Sequence, residues 1–329
     1  CGGNVGSASW MILDEVLKLL PESADITDSG FEGANIVLYT KNAEFFLDNQ
    51  GSIRKVVDTI KKRVELRPDP SLQLEQEKAE DKINEIIPKE AGVVEVLFDP
   101  ARSIVVIEVE KPGLAIGKNG ELLKEIRKQV LWVPIIQRSP PIKSALIENI
   151  RQVLYETNDY RKKFLNQVGH RIYDGWTRGE KKNEWVRVTA LGAGRQVGRS
   201  CFLLQTPESR ILLDCGIDVA AQDSDAYPFL DAPEFDIEQI DAVVCTHPHL
   251  DHAGLIPFLY KLGYKGPTYM TAPTRDIASL MNLDYIGVAF KQAKKPLYSS
   301  NDIKEMVKHT ICLEYDEVTD ITPDIRMTF

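Results

Sequence analysis

The sequence predicts a mixed fold, α+β in its first part and α/β in its second. Residues 10–69 and 70–139 repeat one order of elements, helix, strand, strand, helix, helix, strand (αββααβ), with little sequence identity between the copies. From residue 185, apolar strands alternate with Gly-rich turns and helices, which is typical of one half of an αββα sandwich. With 329 residues, 43% hydrophobic and 27% charged, the chain is long enough for several such cores.

In the first repeat, residues 10–20 (WMILDEVLKLL) place apolar side chains at helical spacing, and Pro21 ends the helix. Two short strands around a Gly-containing turn follow, and two helices lead to a last strand at residues 64–68. The preceding residues 1–9 (CGGNVGSAS) contain few apolar side chains, and we expect them to form a flexible leader.

The second repeat shows the same pattern, with a helix, two strands around a DPAR turn, two helical segments and a strand. Prolines separate the copies and end the second one. Residues 140–184 are then predicted to connect the repeats to the α/β part, with one long helix over residues 142–169 and a polar turn over residues 175–183.

Composition indicates a cytoplasmic protein. The five cysteines are scattered, form no CxxC pair and are odd in number, which favours reduced thiols. No apolar run is long enough to span a membrane. The net charge of −9 comes from residues 200–329, whereas the repeats carry local basic clusters such as the one at residues 61–63.

The stretch CTHPHLDHAG, residues 245–254, holds three of the chain's five histidines. Imidazoles and carboxylates are ligands that zinc prefers. Side chains alternate along an extended segment, so His247 and His249 share one face and would serve one metal. Asp251 and His252 follow where the chain turns into a helix, and would serve another. The alternative is a histidine cluster on a solvated loop.

Asp214 ends the apolar strand in ILLDCG. An aspartate in this place is more often a turn residue, but beside HxHxDH it is a candidate for a carboxylate that supports the metal ligands. His170 and His309 have no comparable neighbours in the sequence. We expect these two to lie on a helix surface or at a strand end.

The tetrapeptide GKNG joins the two helical segments of the second repeat. Its context favours nucleic-acid binding, because exposed backbone amides and a helix N-terminus can contact a phosphate backbone. The candidate residues are Gly117, Lys118, Asn119 and Gly120. The corresponding loop of the first repeat, DNQG at residues 48–51, lacks the first glycine, and we expect it to be structural or to contact protein.

Taken together, two KH-like repeats, GKNG in the second, LGAGRQVGRSC, LLDCG and THPHLDHAG resemble the archaeal cleavage-and-polyadenylation-specificity-factor-like ribonucleases. These belong to the β-CASP branch of the metallo-β-lactamase superfamily, and the resemblance covers the chain from about Trp10. It implies two type II KH-like units, 10–69 without GxxG and 70–139 with it, and the first part of a metallo-β-lactamase sandwich over 185–329.

The resemblance also implies a zinc-dependent ribonuclease that cleaves RNA phosphodiester bonds with metal-activated water. It would act as an endonuclease, with 5′ exonuclease activity left open, in RNA 3′-end formation and transcription termination. A complete site would hold two zinc ions. Asp214 and Asp251 take catalytic roles by motif, with metal ligands His247, His249, Asp251 and His252. The implied partners are single-stranded RNA, a second copy of the full-length chain and the transcription machinery, with no membrane.

Two departures from the family pattern change what we expect of this chain. Gln196 stands where the family commonly has a carboxylate, and the sequence ends at Phe329, before the family's later metal motifs and β-CASP insertion. An incomplete fragment with weak zinc binding and no robust RNA cleavage is therefore expected. The alternatives are an RNA-binding KH module without activity and a small-molecule hydrolase of the same fold, which would not explain the KH-like repeats.

Overall fold

The computed structural model describes residues 8–139, 144–173, 184–221 and 223–329. Most of the predicted leader and all of the predicted polar turn at 175–183 lie outside these ranges. The chain divides into two compact units. One contains both repeats and residues 158–170, and the other contains residues 144–157 and those from 171 onward.

Both repeats have the predicted order of elements. The first consists of α1 (Ala8–Lys18), β1 (Ile26–Glu32), β2 (Asn35–Thr40), α2 (Ala43–Leu47), α3 (Ser52–Ile60) and β3 (Val64–Pro68). The second consists of α4 (Gln76–Ile86), β4 (Val93–Asp99), β5 (Ile104–Val109), α5 (Pro112–Ile116), α6 (Glu121–Val130) and β6 (Val133–Arg138). In each sheet the middle strand pairs antiparallel with the first strand and parallel with the third. The predicted αββααβ order is confirmed, while the boundaries at residues 69, 139 and 184 stay predictions.

Alternation along the strands creates the core of the second repeat. Val105, Ile107 and Val109 on β5 are fully buried, and they pack with Ile83 of α4 and Ile126 of α6. Strand side chains with a period of two and helix side chains with a period near four thus meet on one face of the sheet. The second repeat is thus a three-stranded sheet with α4 and α6 packed on that face.

The single long helix predicted over residues 142–169 is wrong. The structure has two helices, α7 (Ala145–Glu156) and α8 (Asn158–Ile172), separated at Thr157. The Thr157 hydroxyl donates to the carbonyl oxygen of Val153 at 2.6 Å. The Thr157 N–H, which would bond to that carbonyl in a continuous helix, donates to the carbonyl oxygen of Tyr155. A threonine side chain therefore takes the acceptor that a continuous helix would give to the backbone.

Helix α8 lies against the sheet of the first repeat at very short range. The Phe31 N–H donates to Asn166 Oδ1 at 2.9 Å, and the Gly33 N–H donates to the carbonyl oxygen of Leu165 at 3.0 Å. A Cβ at Gly169 would lie 2.1 Å from Phe31 Cβ and 2.6 Å from the carbonyl oxygen of Gly33. Only glycine allows this approach.

The second unit has a six-stranded sheet in the order β12-β11-β10-β9-β8-β7. Besides α7, it contains β7 (Arg187–Gly192), β8 (Cys201–Gln205), β9 (Arg210–Leu213), β10 (Ala242–Val244), α9 (Leu250–Ala253), α10 (Ile256–Lys261), β11 (Thr268–Met270), α11 (Ala272–Lys291), α12 (Ser300–His309), β12 (Thr310–Cys312), β13 (Thr319–Asp320) and β14 (Arg326–Met327). Strands β9 to β12 run parallel, so their carboxyl ends meet at one edge, where α/β proteins place their sites.

Helices α7, α10, α11 and α12 cover this sheet and share its main core, which includes Leu203, Val243 and Met306. Alternating strands and helices confirm the α/β character predicted for this part of the chain. In the described ranges, no helix combines the length and the apolar character that a membrane span needs.

Two helical glycines provide a test of the α8 contact. Gly169→Ala should lower the free energy of unfolding by about 1–3 kcal/mol, because the added methyl group overlaps Phe31 and the Gly33 carbonyl. Gly287→Ala in α11 is the matched control, since nothing lies within 4 Å of its added Cβ. That control should gain about 0.5–1 kcal/mol from helix propensity. Urea unfolding of both variants checks this, and a stabilised Gly169→Ala variant would contradict the described packing.

Candidate metal centre

Asp214 lies where β9 ends and joins that strand end to the neighbouring one. Its backbone adopts a left-handed conformation with φ of 59°, and its N–H donates to the carbonyl oxygen of Val244 at 2.8 Å. Its buried carboxylate accepts the Thr246 N–H at 2.8 Å and the Thr246 hydroxyl at 2.9 Å. The carboxylate thereby fixes the start of the histidine motif after β10.

The structure brings together three of the predicted metal ligands. One ligand atom each from His247, Asp251 and His252 lies within 4.8 Å of the others. His252 Nε2 is 3.5 Å from Asp251 Oδ2. All three side chains are partly exposed, so an ion from solution can reach them. Two imidazoles and a carboxylate make a donor set found at catalytic zinc sites, and the residues present therefore fit such an ion.

The carboxylate of Asp214 also sets the orientation of His252. Asp214 Oδ2 lies 2.7 Å from His252 Nδ1. This contact leaves Nε2 of the same ring directed at the cluster, beside Asp251. Metal-bound histidines commonly carry such a hydrogen bond on their second ring nitrogen, which fixes the tautomer and the ring plane.

His249 lies next to the cluster without being one of its three members. Its ring meets the His247 ring edge-on, with centroids 4.9 Å apart, and its backbone caps the N-terminus of α9. The predicted pairing of His247 with His249 stays a prediction. His170 lies in α8 and His309 ends α12, and neither belongs to the cluster.

The environment of His247 favours its neutral form. Partial burial lowers the pKa of His247 below its usual value, and the neighbouring imidazoles of His252 and His249 lower it further. A metal ion binds the neutral imidazole, so protons compete less with the metal for this ring.

Backbone hydrogen bonds from the rest of the fold hold helix α9, which carries Asp251 and His252. The carbonyl oxygens of Leu250, Asp251 and His252 accept N–H groups from Ile217, Ser200 and Cys215, respectively, each at 2.8 Å. A four-residue helix is too short to persist alone, so these bonds determine where it lies.

Gly216 makes this contact possible. A Cβ at this position would lie 1.8 Å from the carbonyl oxygen of Asp251. The sequence reasoning singled out Asp214 in LLDCG but missed the roles of Gly216, Ser200 and Thr246. The available signals were Gly216, two residues after Asp214 in LLDCG, and Ser200 in VGRS.

The GKNG loop of the second repeat has the geometry expected of a loop that contacts the phosphate backbone of a nucleic acid. Gly117, Asn119 and Gly120 have φ of 74°, 55° and 72°. The side chains of Lys118 and Asn119 are exposed. No side chain caps the N-terminus of α6 at Gly120; the Glu121 N–H donates to the Lys118 carbonyl, and the amides that follow it can donate to an anion.

The corresponding loop of the first repeat has similar backbone but different chemistry. Gln50 and Gly51 adopt φ of 49° and 77°. The carboxylate of Asp48 accepts the Gln50 N–H at 3.0 Å, so an acidic group already occupies one amide of this loop. A carboxylate at this place disfavours phosphate, and the structural or protein-contacting role expected for the loop stays a prediction.

Three regions of the chain match described protein families. Residues 8–73 match "Transcription termination factor FttA, KH domain", residues 78–131 match "KH domain", and residues 194–271 match "Metallo-beta-lactamase superfamily". KH domains bind RNA, and metal binding is typical of the metallo-β-lactamase superfamily. The predicted succession of two KH units and a metallo-β-lactamase fold is confirmed.

Curated relatives match almost the whole chain. Transcription termination factor FttA of Methanosarcina mazei is 49% identical over 316 residues, covering 96% of this chain and 49% of that protein. The FttA of Methanothermobacter thermautotrophicus is 47% identical over 314 residues, covering 95% and 49%. That of Lokiarchaeum sp. is 39% identical over 318 residues, covering 96% and 49%. The chain spans about half the length of these relatives.

Both KH regions and the metallo-β-lactamase region therefore lie within one continuous match to archaeal proteins of the same name. The chain belongs to the archaeal family of KH-domain-containing, cleavage-and-polyadenylation-specificity-factor-like metallo-β-lactamase proteins that includes these FttA relatives.

Proposed function

We propose that this chain is part of a zinc-dependent ribonuclease that acts in transcription termination. The donor cluster of His247, Asp251 and His252, with Asp214 behind it, is the observation that carries the proposal. The names of the relatives support a role in transcription termination, and the KH units support RNA as the substrate. The expected cytoplasmic location and the dimer of the full-length chain stay predictions.

Each residue of the centre has a separate task in this proposal. His247, Asp251 and His252 hold zinc, and Asp214 keeps the His252 ring in its binding orientation. Bound zinc supplies a Lewis acid for the phosphodiester and lowers the pKa of water. Partial exposure of the three donors leaves room for an RNA phosphate next to them.

A second zinc ion is part of the proposal. His249 lies beside His247, which supports assigning this pair to one ion and Asp251 with His252 to the other. The cluster of His247, Asp251 and His252 is a donor set for one ion, so a second ion would need His249 as a further donor. Asp251, which carries the carboxylate of the cluster, keeps the catalytic role assigned to it by motif.

The GKNG loop is proposed to hold single-stranded RNA. Lys118 gives a positive charge and the amides after Glu121 in the first turn of α6 give hydrogen-bond donors, both suited to phosphate oxygens. The transcription machinery is a proposed partner of the whole protein, on the strength of the relatives' names.

Zinc binding by this chain tests the centre directly. His252→Ala should weaken zinc affinity at least about tenfold, because it removes a ligand, and competition with a chromophoric chelator at neutral pH measures it. His170→Ala, which changes a histidine of α8, is the matched control and should bind zinc like the parent chain. Asp214→Asn should weaken binding by about 10–100-fold through the orientation of His252. Equal affinities in all variants would remove the cluster as the binding site.

Cleavage is tested in a full-length FttA relative, because this chain spans half of such a protein. Replacing the histidine that aligns with His247 by alanine should abolish zinc-dependent cleavage of an end-labelled single-stranded RNA while RNA binding persists. Gel analysis of the products measures both cut positions and rate. Undiminished cleavage by the variant would contradict the proposed function.

RNA binding tests the GKNG loop. Lys118→Asp with Asn119→Asp should weaken binding of a fluorescein-labelled single-stranded RNA about tenfold, and lower the salt dependence by about one lost phosphate contact. Fluorescence anisotropy at several salt concentrations measures both. The control, Asn49→Asp with Gln50→Asp in the first repeat, lowers the net charge by about two rather than three and should leave affinity within about twofold of the parent. A larger loss in the control than in the GKNG variant would reverse the assignment of the two loops.

A further inference from the structure

The α9 segment is defined here as helix α9 with the following Gly254, residues 250–254. Its last two carbonyl groups, those of Ala253 and Gly254, accept hydrogen bonds from a different part of the fold. The Tyr298 hydroxyl donates to the carbonyl oxygen of Gly254 at 2.7 Å and lies 2.9 Å from Asn282 Oδ1. Asn282 Nδ2 donates to the carbonyl oxygen of Ala253 at 3.5 Å. Together with the backbone donors already described, every carbonyl from Leu250 to Gly254 accepts a hydrogen bond from outside α9.

Both side chains are deeply buried. Tyr298 is 1% exposed and Asn282 is fully buried, and the Tyr298 ring stacks on Tyr285 with centroids 5.8 Å apart. Water cannot replace a lost partner in such surroundings, so removing the hydroxyl leaves the Gly254 carbonyl unsatisfied. The α9 segment would then shift toward a new partner rather than keep its position.

We propose that Tyr298 and Asn282 are positioning residues of the metal centre. They fix the C-terminal end of α9, and through it the backbone of Asp251 and His252, whose side chains belong to the donor cluster. The inference rests on the proposed function, because it assigns to these residues an effect on zinc binding.

The short length of α9 is the reason for this effect. A helix of one turn has no interior hydrogen-bond ladder to resist a change at its end. The turn at residues 215–217 holds one side of α9, whereas Tyr298 and Asn282 hold the other. Loss of the hydrogen bonds on either side therefore reorients α9, and with it the directions in which the side chains of Asp251 and His252 point.

Tyr264 offers a control with the same chemistry in a different place. It is 4% exposed, and its hydroxyl donates to the carbonyl oxygen of Pro267 at 2.8 Å. Phenylalanine at either tyrosine removes one buried hydroxyl; Tyr298→Phe leaves the Gly254 carbonyl unsatisfied, whereas the Pro267 carbonyl still accepts the Val243 N–H at 3.0 Å. A purely structural role for Tyr298 predicts a loss of stability with no change in zinc affinity, as is expected of Tyr264→Phe.

The test compares Tyr298→Phe with Tyr264→Phe in this chain. Both variants should lose thermal stability, and Tyr298→Phe should lose more because it alone leaves a buried carbonyl unsatisfied. Only Tyr298→Phe should weaken zinc affinity, on the order of 3- to 10-fold, which is less than the loss of a direct ligand partner causes. Asn282→Ala gives a second variant if Tyr298→Phe does not fold, and it should weaken zinc binding in the same range. Equal zinc affinity of folded Tyr298 and Tyr264 variants would overturn the inference.

A measurement without metal separates this inference from the proposed function. In the metal-free chain, the ¹⁵N signals of the His252 imidazole report its contact with Asp214. Tyr298→Phe should shift these signals and Tyr264→Phe should not. Shifted signals with no zinc binding by the parent chain would refute the zinc proposal and keep the positioning role. Unshifted signals in a chain that binds zinc would refute the positioning role alone.

Discussion

The metal centre depends on backbone hydrogen bonds between the turn after β9 and the α9 segment. The N–H groups of Cys215 and Ile217 hold the carbonyls of His252 and Leu250, and Gly216 between them touches the Asp251 carbonyl. Because this contact is made by backbone alone, it sets the distance between the two segments with little freedom. The side chains that form the donor cluster inherit their positions from it.

Asp214 connects this backbone contact to the chemistry of the centre. A buried carboxylate is costly unless hydrogen bonds satisfy it, and Asp214 finds partners in the Thr246 backbone, the Thr246 hydroxyl and the His252 ring. The same set of bonds joins the ends of β9 and β10 and orients His252. Fold stability and ligand geometry thus share one residue, which explains why a strand-ending aspartate accompanies the histidine motif.

Local patterns predicted the order of elements and the candidate ligands, because helix periodicity, strand alternation and the HxHxDH spacing are all readable over a few residues. The break at Thr157 was missed because the apolar pattern continues across it and one side-chain hydrogen bond ends the helix. Tyr298 and Asn282 could not be identified, since they lie 44 and 28 residues beyond Gly254 in the sequence and reach it only through packing. The clustering of His247 with Asp251 and His252, without His249, likewise depends on how α9 is anchored.

The two repeats show how one backbone plan is put to two uses. Both place positive φ angles in the loop between their second and third helices, so both can expose backbone amides. In the first repeat the Asp48 carboxylate accepts one of these amides, that of Gln50. Helix α8 packs on the sheet of this repeat through Gly169. In the second repeat Lys118 stands at the loop, and α6 begins without a side-chain cap, as α3 does in the first repeat. A phosphate backbone therefore favours the second loop, while the first repeat offers its surface to the chain's own helix.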